Sequence, residues 1–212
     1  MNKQHVFEQI KHNKVFSVIR DYDRFKPYDI ARALIDGGLT SLEISMDIPN
    51  AIEIIQKLNS ENILLGACSV ITAQQVQEAL LAGAKFIDTP ILEMSVIKFS
   101  KGDAQVPVIV GATTANEAYQ NWKLNTLYTK IFPTAELGGV NYISYLVHIM
   151  PFLRLVASSG ITMEDYTKYL DAGAIAVALG RCLYEEATCL SDITKNAKQV
   201  RESLNKYIEI NH

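Results

Sequence analysis

The chain has 212 residues, 49% hydrophobic and 20% charged, which suits one soluble domain with a sizeable core. Its formal net charge of -3 and pI near 5.8 offer no broad basic surface, so nucleic acid is not an expected partner. No stretch approaches the ~18 apolar residues of a membrane span, and the opening Met1-Asn2-Lys3-Gln4-His5 lacks the apolar core of a signal peptide.

Cys68, Cys182 and Cys189 form no CxxC pair, which fits a reducing cytoplasm. His5, His12, His148 and His212 are scattered and match no metal-ligand spacing. His148 falls on an apolar helical pattern and reads as a helix residue, not a catalyst.

In chain order, residues 1–13 read as a short amphipathic helix placed to plug one end of the fold. Apolar runs then alternate with helical patterns. Strands are predicted over 15–19, 39–45, 63–67, 86–89, 106–110, 127–131, 153–157 and 174–178. Helices are predicted over 27–35, 51–58, 73–81, 94–99, 115–122, 140–150 and 163–170, with further helix after the last strand. Eight strand–helix units in series are the mark of a parallel sheet with helices outside. Closed on itself, the sheet is an α/β fold, a single (β/α)8 TIM barrel; left open, it is a doubly wound sheet. Asp36-Gly37-Gly38, Ala82-Gly83-Ala84 and Asp171-Ala172-Gly173-Ala174 each put glycine after a helix, as a left-handed C-cap requires. No linker divides the chain, so residues 1–212 are read as one domain.

A barrel gathers its reactive groups at the C-terminal ends of its strands. There the sequence offers Arg20, Glu43, Cys68, Ser69, Thr89, Pro90, Thr113, Lys130, the run Ser158-Ser159-Gly160, and Gly180-Arg181. Lys130 stands out, because a lysine on an apolar strand is rarely buried without a partner. Desolvation lowers an amine's pKa and frees the neutral nucleophile that Schiff-base chemistry needs. Each residue also has an ordinary reading. Lys130 can reach solvent from an edge strand. Glu43 can be a solvated carboxylate or a structural partner of Lys130, and Arg20 can pair with Asp21 or Asp23. Cys68 fills space, Ser158–Gly160 makes a turn, and Arg181 pairs with Glu185.

Several segments together resemble the 2-keto-3-deoxy-6-phosphogluconate and 2-keto-3-deoxy-6-phosphogalactonate aldolases, the class I pyruvate aldolases. Leu42-Glu43-Ile44 is similar to the family's motif with a catalytic glutamate. Leu65-Gly66-Ala67-Cys68-Ser69-Val70 is similar to its Gly-Ala-Gly-Thr-Val segment. Phe86-Ile87-Asp88-Thr89-Pro90 resembles its strand ending in Ser/Thr-Pro. Val106-Pro107-Val108-Ile109-Val110-Gly111 resembles its fifth-strand segment. Lys130-Ile131-Phe132-Pro133 resembles the motif that carries the Schiff-base lysine. Val18-Ile19-Arg20 resembles the galactonate branch, with an arginine near the keto acid. Asp47 stands where phosphogluconate aldolases place an arginine, Ser159-Gly160-Ile161 where they have Gly-Gly-Ile/Val, and Leu179-Gly180-Arg181 where they end on Gly-Ser.

The resemblance implies an aldehyde-lyase acting on a small keto acid or sugar-acid phosphate, with no metal and no cofactor. Lys130 would attack the C2 ketone of a 2-keto-3-deoxy-6-phospho sugar acid, and Glu43 would move the protons of C3–C4 cleavage, releasing pyruvate and glyceraldehyde 3-phosphate. Cleavage of 4-hydroxy-2-oxoglutarate to pyruvate and glyoxylate is a further implied activity. Arg20 would hold the carboxylate, with Ser69, Thr89, Pro90 and Phe132 lining the pocket. Ser158, Ser159, Gly160, Gly180 and Arg181 would meet a distal anion. A homotrimer is implied as well, with Ile143, Tyr145 and Leu146 on an outer helix open to either core or interface. The competing readings are a barrel that binds a phosphorylated or keto-acid metabolite without cleaving it, and a sugar-phosphate isomerase barrel.

Overall fold

Alternation along each strand decides what fills the centre of the molecule. Side chains on a strand point to opposite faces, so Phe16, Phe86, Ile109, Tyr128, Val156 and Ala176 enter one inner cluster while their neighbours pack outward under helices. The computed structural model describes residues 3–20 and 24–211. Asp21 and Asp23, the expected partners of Arg20, lie outside the described residues, as do Met1, Asn2 and His212.

Strands β1 (Val15–Ile19), β2 (Ser41–Ser45), β3 (Leu64–Cys68), β4 (Phe86–Thr89), β5 (Val108–Ala112), β6 (Tyr128–Ile131), β7 (Leu155–Ser158) and β8 (Ala176–Leu179) pair in sequence order. All pairs are parallel, and β8 returns to β1 to close the barrel. The fold is the (β/α)8 barrel, and the open doubly wound sheet is excluded. Between the strands lie α2 (Pro27–Asp36), α3 (Ala51–Leu58), α4 (Ala73–Ala82), α5 (Met94–Lys101), α6 (Ala115–Lys123), α7 (Gly139–Ile149) and α8 (Tyr166–Asp171). The last long helix, α9 (Leu190–Asn211), packs against α2.

Helix α1 (Lys3–Asn13) covers the barrel's N-terminal end, as its amphipathic pattern predicts. Val6 and Ile10 are buried in the inner cluster, Phe7 stacks on Tyr128 at 5.5 Å between ring centroids, and the Tyr128 hydroxyl donates to the Phe7 carbonyl at 3.1 Å. The expected C-caps at Gly38, Gly83 and Gly173 have positive φ. Several strands begin about two residues later than the apolar runs suggest. Leu39, Leu153 and Ala174 are buried, but they pack under the helices before the ladder starts. Hydrophobic runs report burial, not ladder membership.

The register sorts the inward residues into tiers. Moving from one strand to its second neighbour advances the inward position by two residues, as in a barrel whose core is built of layers of four side chains from alternate strands. Reading the pairings round the barrel puts Glu43, Asp88, Lys130 and Ala178 in one tier, from β2, β4, β6 and β8. Phe16, Gly66, Ile109 and Val156 form the tier beneath it, and Val18, Cys68, Gly111 and Ser158 the tier above. The polar tier thus rests on an apolar floor and opens toward the C-terminal face.

Gly111 makes this face possible. A Cβ there would lie 1.9 Å from the Pro90 carbonyl oxygen, so any side chain forces apart the backbone that follows β4 and the end of β5. Gly111→Ala is expected to cost about 1–3 kcal/mol through this overpacking. That corresponds to a Tm lower by ~3–10 °C for a domain of this size, and a thermal scan matching wild type would refute the close approach.

Candidate active site

The barrel mouth encloses a cavity of about 610 Å³, within the usual range for small-molecule sites. Its lining includes the polar tier and the tier above it, together with Arg20 and residues from the loops after β3, β4, β6, β7 and β8.

At its floor Lys130 is 5% exposed, and its Nζ lies between two carboxylates. Glu43 Oε2 is at 2.7 Å, and Asp88 Oδ2 forms a second ion pair. Both acids are buried, and Nζ also lies 5.7 Å from the centre of the Phe16 ring beneath it. Glu43 Oε1 is buried with no hydrogen-bond partner among the described residues. The reading of Lys130 as an edge lysine and of Glu43 as a solvated carboxylate both fail: a closed barrel has no edge, and the side chains are inside it.

The charge state of the lysine corrects a second expectation. Burial alone pulls an ammonium's pKa down, but the negative charges of Asp88 and Glu43 outweigh it, and Lys130 stays above its ordinary value. The resting amine is protonated at neutral pH. Asp88 carries the complementary strain. Burial pushes its carboxyl up from 3.8 to about 7; the Lys130 charge opposes that rise and the Glu43 charge adds to it. Burial, followed by Glu43, also pushes the Cys68 thiol up to about 12. Cys68 is therefore a protonated space-filler, as its ordinary reading has it.

Other predicted residues divide. Ser69, Pro90, Phe132, Ser158, Ser159, Gly160, Gly180 and Arg181 all border the cavity. Ser69, at φ 59°, places its hydroxyl 2.7 Å from that of Ser45. Thr89 does not border it. Strand alternation turns Asp88 inward and Thr89 outward, where its hydroxyl donates to the Ile91 carbonyl at 3.1 Å. The Ser158 backbone N–H is already given to Thr134 Oγ1 at 2.8 Å, so it is no donor for a ligand. Gly160 has φ 69°, and a Cβ there would meet the Ala135 Cβ at 2.3 Å, so the loop after β7 needs glycine for both reasons.

At the rim both arginines have acidic partners. Arg20 Nη1 lies 2.9 Å from Asp47 Oδ2, with side chains 41% and 55% exposed. Arg181 Nη1 is 3.8 Å from Glu185 Oε1, the local pairing its spacing allows. Such solvated pairs are worth about 0–1 kcal/mol each, weak enough for an incoming anion to rearrange them. His148 is exposed, not set in an apolar face. Among the described residues, no cluster of three or more His, Cys, Asp or Glu side chains could hold a metal ion, and no helix is long and apolar enough to cross a membrane.

The residues that sequence reasoning missed are Asp88 and Tyr184. Tyr184 is buried beside the cavity, and its hydroxyl lies 3.4 Å from both the Val18 carbonyl oxygen, to which it donates, and the Arg20 backbone N–H, from which it accepts. The signal for Asp88 was present: an acid two residues after an inward-pointing Phe86 shares its face.

A lysine enclosed at the mouth of this barrel agrees with what the chain matches. The family model described as "KDPG and KHG aldolase" covers residues 6–200. The chain belongs to the KDPG and KHG aldolase family. It is an aldolase, and its relatives include a 2-dehydro-3-deoxy-phosphogluconate aldolase of Treponema pallidum. That protein is 30% identical over 167 residues, 78% of this chain and 79% of the relative. A 2-dehydro-3-deoxy-6-phosphogalactonate aldolase of Escherichia coli is 29% identical over 181 residues, 84% of this chain and 86% of the relative. Among solved structures, a KDPG aldolase of Legionella pneumophila with pyruvate captured as a covalent carbinolamine superposes with a TM-score of 0.82. The two are 25% identical, over 94% of this chain and 98% of that one.

The titration of Asp88 has a consequence for stability. Between about pH 4 and pH 7 the folded protein holds on this carboxyl a proton that the unfolded chain has released. On account of this group, stability falls as pH rises through that window. Asp88→Asn cannot titrate there, so its stability should gain on wild type as pH climbs. Urea midpoints measured across the window test this, and a difference that stays constant with pH would show that Asp88 ionises as an ordinary carboxyl.

Proposed function

We propose that this aldolase works through a Schiff base on Lys130 and cleaves a 2-keto-3-deoxy-6-phospho sugar acid to pyruvate and glyceraldehyde 3-phosphate. The observation that carries the reading is the ion pair of Lys130 with Glu43 on the floor of the cavity. The attacking amine and a proton-transfer group are in hydrogen-bond reach of each other, as an activated nucleophile requires. The covalent pyruvate adduct of the Legionella pneumophila aldolase supports the same chemistry here.

In this mechanism the Lys130 amine adds to the C2 ketone, and loss of water leaves an iminium. The iminium draws in the electrons of the C3–C4 bond as Glu43 removes the C4 hydroxyl proton. The aldehyde departs, and Glu43 returns the proton to C3 of the enamine. Hydrolysis frees pyruvate. The buried, unpartnered Glu43 Oε1 is suited to this exchange. Arg20 meets the substrate carboxylate once it leaves Asp47, while Ser69, Pro90 and Phe132 line the keto-acid end. Arg181, Gly180 and the Ser158–Gly160 loop face the phosphate. Cleavage of 4-hydroxy-2-oxoglutarate to pyruvate and glyoxylate is a second activity open to the same site. Residues 1–212 act as one aldolase domain, and three free cysteines fit a cytoplasmic setting.

Borohydride with pyruvate should label wild type on Lys130 and leave Lys130→Ala unlabelled. Glu43→Gln should fold normally and slow pyruvate release by about 10²-fold or more. A labelled Lys130→Ala, or Glu43→Gln with wild-type kcat, would overturn the assignment.

We also propose a homotrimer. Ile143 and Leu146 are buried against the barrel and belong to the core, whereas Tyr145 is exposed. Trp122 lies 4.5 Å from Phe152 and 5.7 Å from Tyr119 between ring centroids, and all three are partly exposed. An aromatic cluster of this kind is suited to an interface. Sedimentation at micromolar concentration should give three times the chain mass, shifted downward by Trp122→Lys; a monomeric wild type would contradict the proposal.

A further inference from the structure

The resting site poses a problem for the Schiff-base step. Lys130 must be neutral to attack, yet it is held as an ammonium by two carboxylates. One carboxylate is enough to balance one ammonium. The second leaves the buried tier with an excess negative charge, which a low-dielectric interior disfavours. Transfer of the ammonium proton within the tier leaves that net charge unchanged, and Asp88 Oδ2, in ion-pair contact with Nζ, is placed to receive it directly.

We propose that Asp88 is a catalytic residue that takes the proton from the Lys130 ammonium before the amine attacks, and gives it to the oxygen that leaves C2 as water. The proposal rests on the Schiff-base reading above and extends it. The proton balance closes. The ammonium and the Asp88 carboxylate become an amine and a carboxylic acid. The amine adds to the ketone, and the nitrogen proton and the developing alkoxide settle as a neutral carbinolamine. Asp88 then protonates the hydroxyl, the C–O bond breaks, and water leaves an iminium beside an ionised Asp88. Glu43 is left free for the C4 hydroxyl and C3.

Other groups around the cavity do not compete for this part. Cys68, from β3, keeps its proton to about pH 12. The Tyr184 hydroxyl is engaged with Val18 and Arg20. Arg20, the charged group after β1, is paired with Asp47 at the rim. Asp47 and Glu185 are held at the rim by the two arginines. The groups that act on the Asp88 carboxyl are Lys130 from β6, Glu43 from β2 and Arg20. Its titration near pH 7 fits a group that exchanges protons at neutral pH.

Loss of an oxygen-18 label from the C2 carbonyl of pyruvate into ordinary water reads addition and dehydration alone, without C–C cleavage. In wild type, the enzyme-dependent rate should rise with pH through about pH 7, as Asp88 becomes able to accept the proton. Asp88→Asn should slow the exchange by about 10²-fold and abolish that rise, while circular dichroism shows an intact fold. Were Asp88 only a counter-ion, its removal would lower the Lys130 pKa, and exchange would stay equal or become faster. That result would overturn the proposal. So would a wild-type rate independent of pH across this range, which serves even if the variant fails to fold. Borohydride labelling of wild type separates the role of Asp88 from the Schiff base itself. A labelled wild type with an unimpaired Asp88→Asn refutes only the role of Asp88, whereas an unlabelled wild type refutes the Schiff base itself.

Discussion

An ammonium taken out of water costs several kcal/mol unless opposite charge replaces its hydration. Lys130 is placed under that constraint by the strand that carries it, and Glu43 and Asp88 meet it from two other strands. The ion pairs explain why a lysine is tolerated in the middle of a barrel. They also determine its resting state, since the charges that make burial possible raise the amine's pKa. The arrangement holds the amine in a protonated form, so the Schiff-base chemistry proposed for Lys130 has to begin with moving that proton.

The barrel's geometry brings the three groups together from positions far apart in the chain. Glu43 and Lys130 are separated by 87 residues, yet the stagger of the strands sets them in one tier with Asp88 and Ala178. The small side chain of Ala178 and the bare backbone of Gly111, one tier higher, keep open the volume above the lysine. Phe16 and Phe86, with ring centroids 5.6 Å apart, form part of the apolar floor that separates the site from the helix at the barrel's base. Polar groups on one side and close packing on the other open Lys130 to the cavity from a single direction.

Much of this was legible in the sequence. The repeated strand–helix pattern specified parallel strands with helices between them, and left a closed barrel and an open doubly wound sheet as the two ways to bury them. Lys130 and Glu43 were recognisable from their motifs and their positions at strand ends. Thr89 stands at a strand end but alternation turns it outward; the inward Phe86 two residues earlier marks Asp88 as the side chain that enters the barrel. The sign of the Lys130 shift was also out of reach. It depends on how many carboxylates surround the amine, and that number follows from the register between strands that no local pattern encodes. The pairing of Arg20 with Asp47 is of the same kind: two loops meet only because β1 and β2 are neighbours.

Lys130 is expected to rest as an ammonium between Glu43 and Asp88 and to become an iminium when a keto acid enters. Nitrogen-15 NMR of lysine-labelled enzyme reads both states at the same atom. The account predicts a buried Lys130 Nζ signal in the ammonium region at neutral pH, replaced on addition of pyruvate by a signal in the iminium region that is absent from Lys130→Ala. A neutral amine at Lys130 in the resting enzyme, or an ammonium signal unmoved by saturating pyruvate, would contradict it.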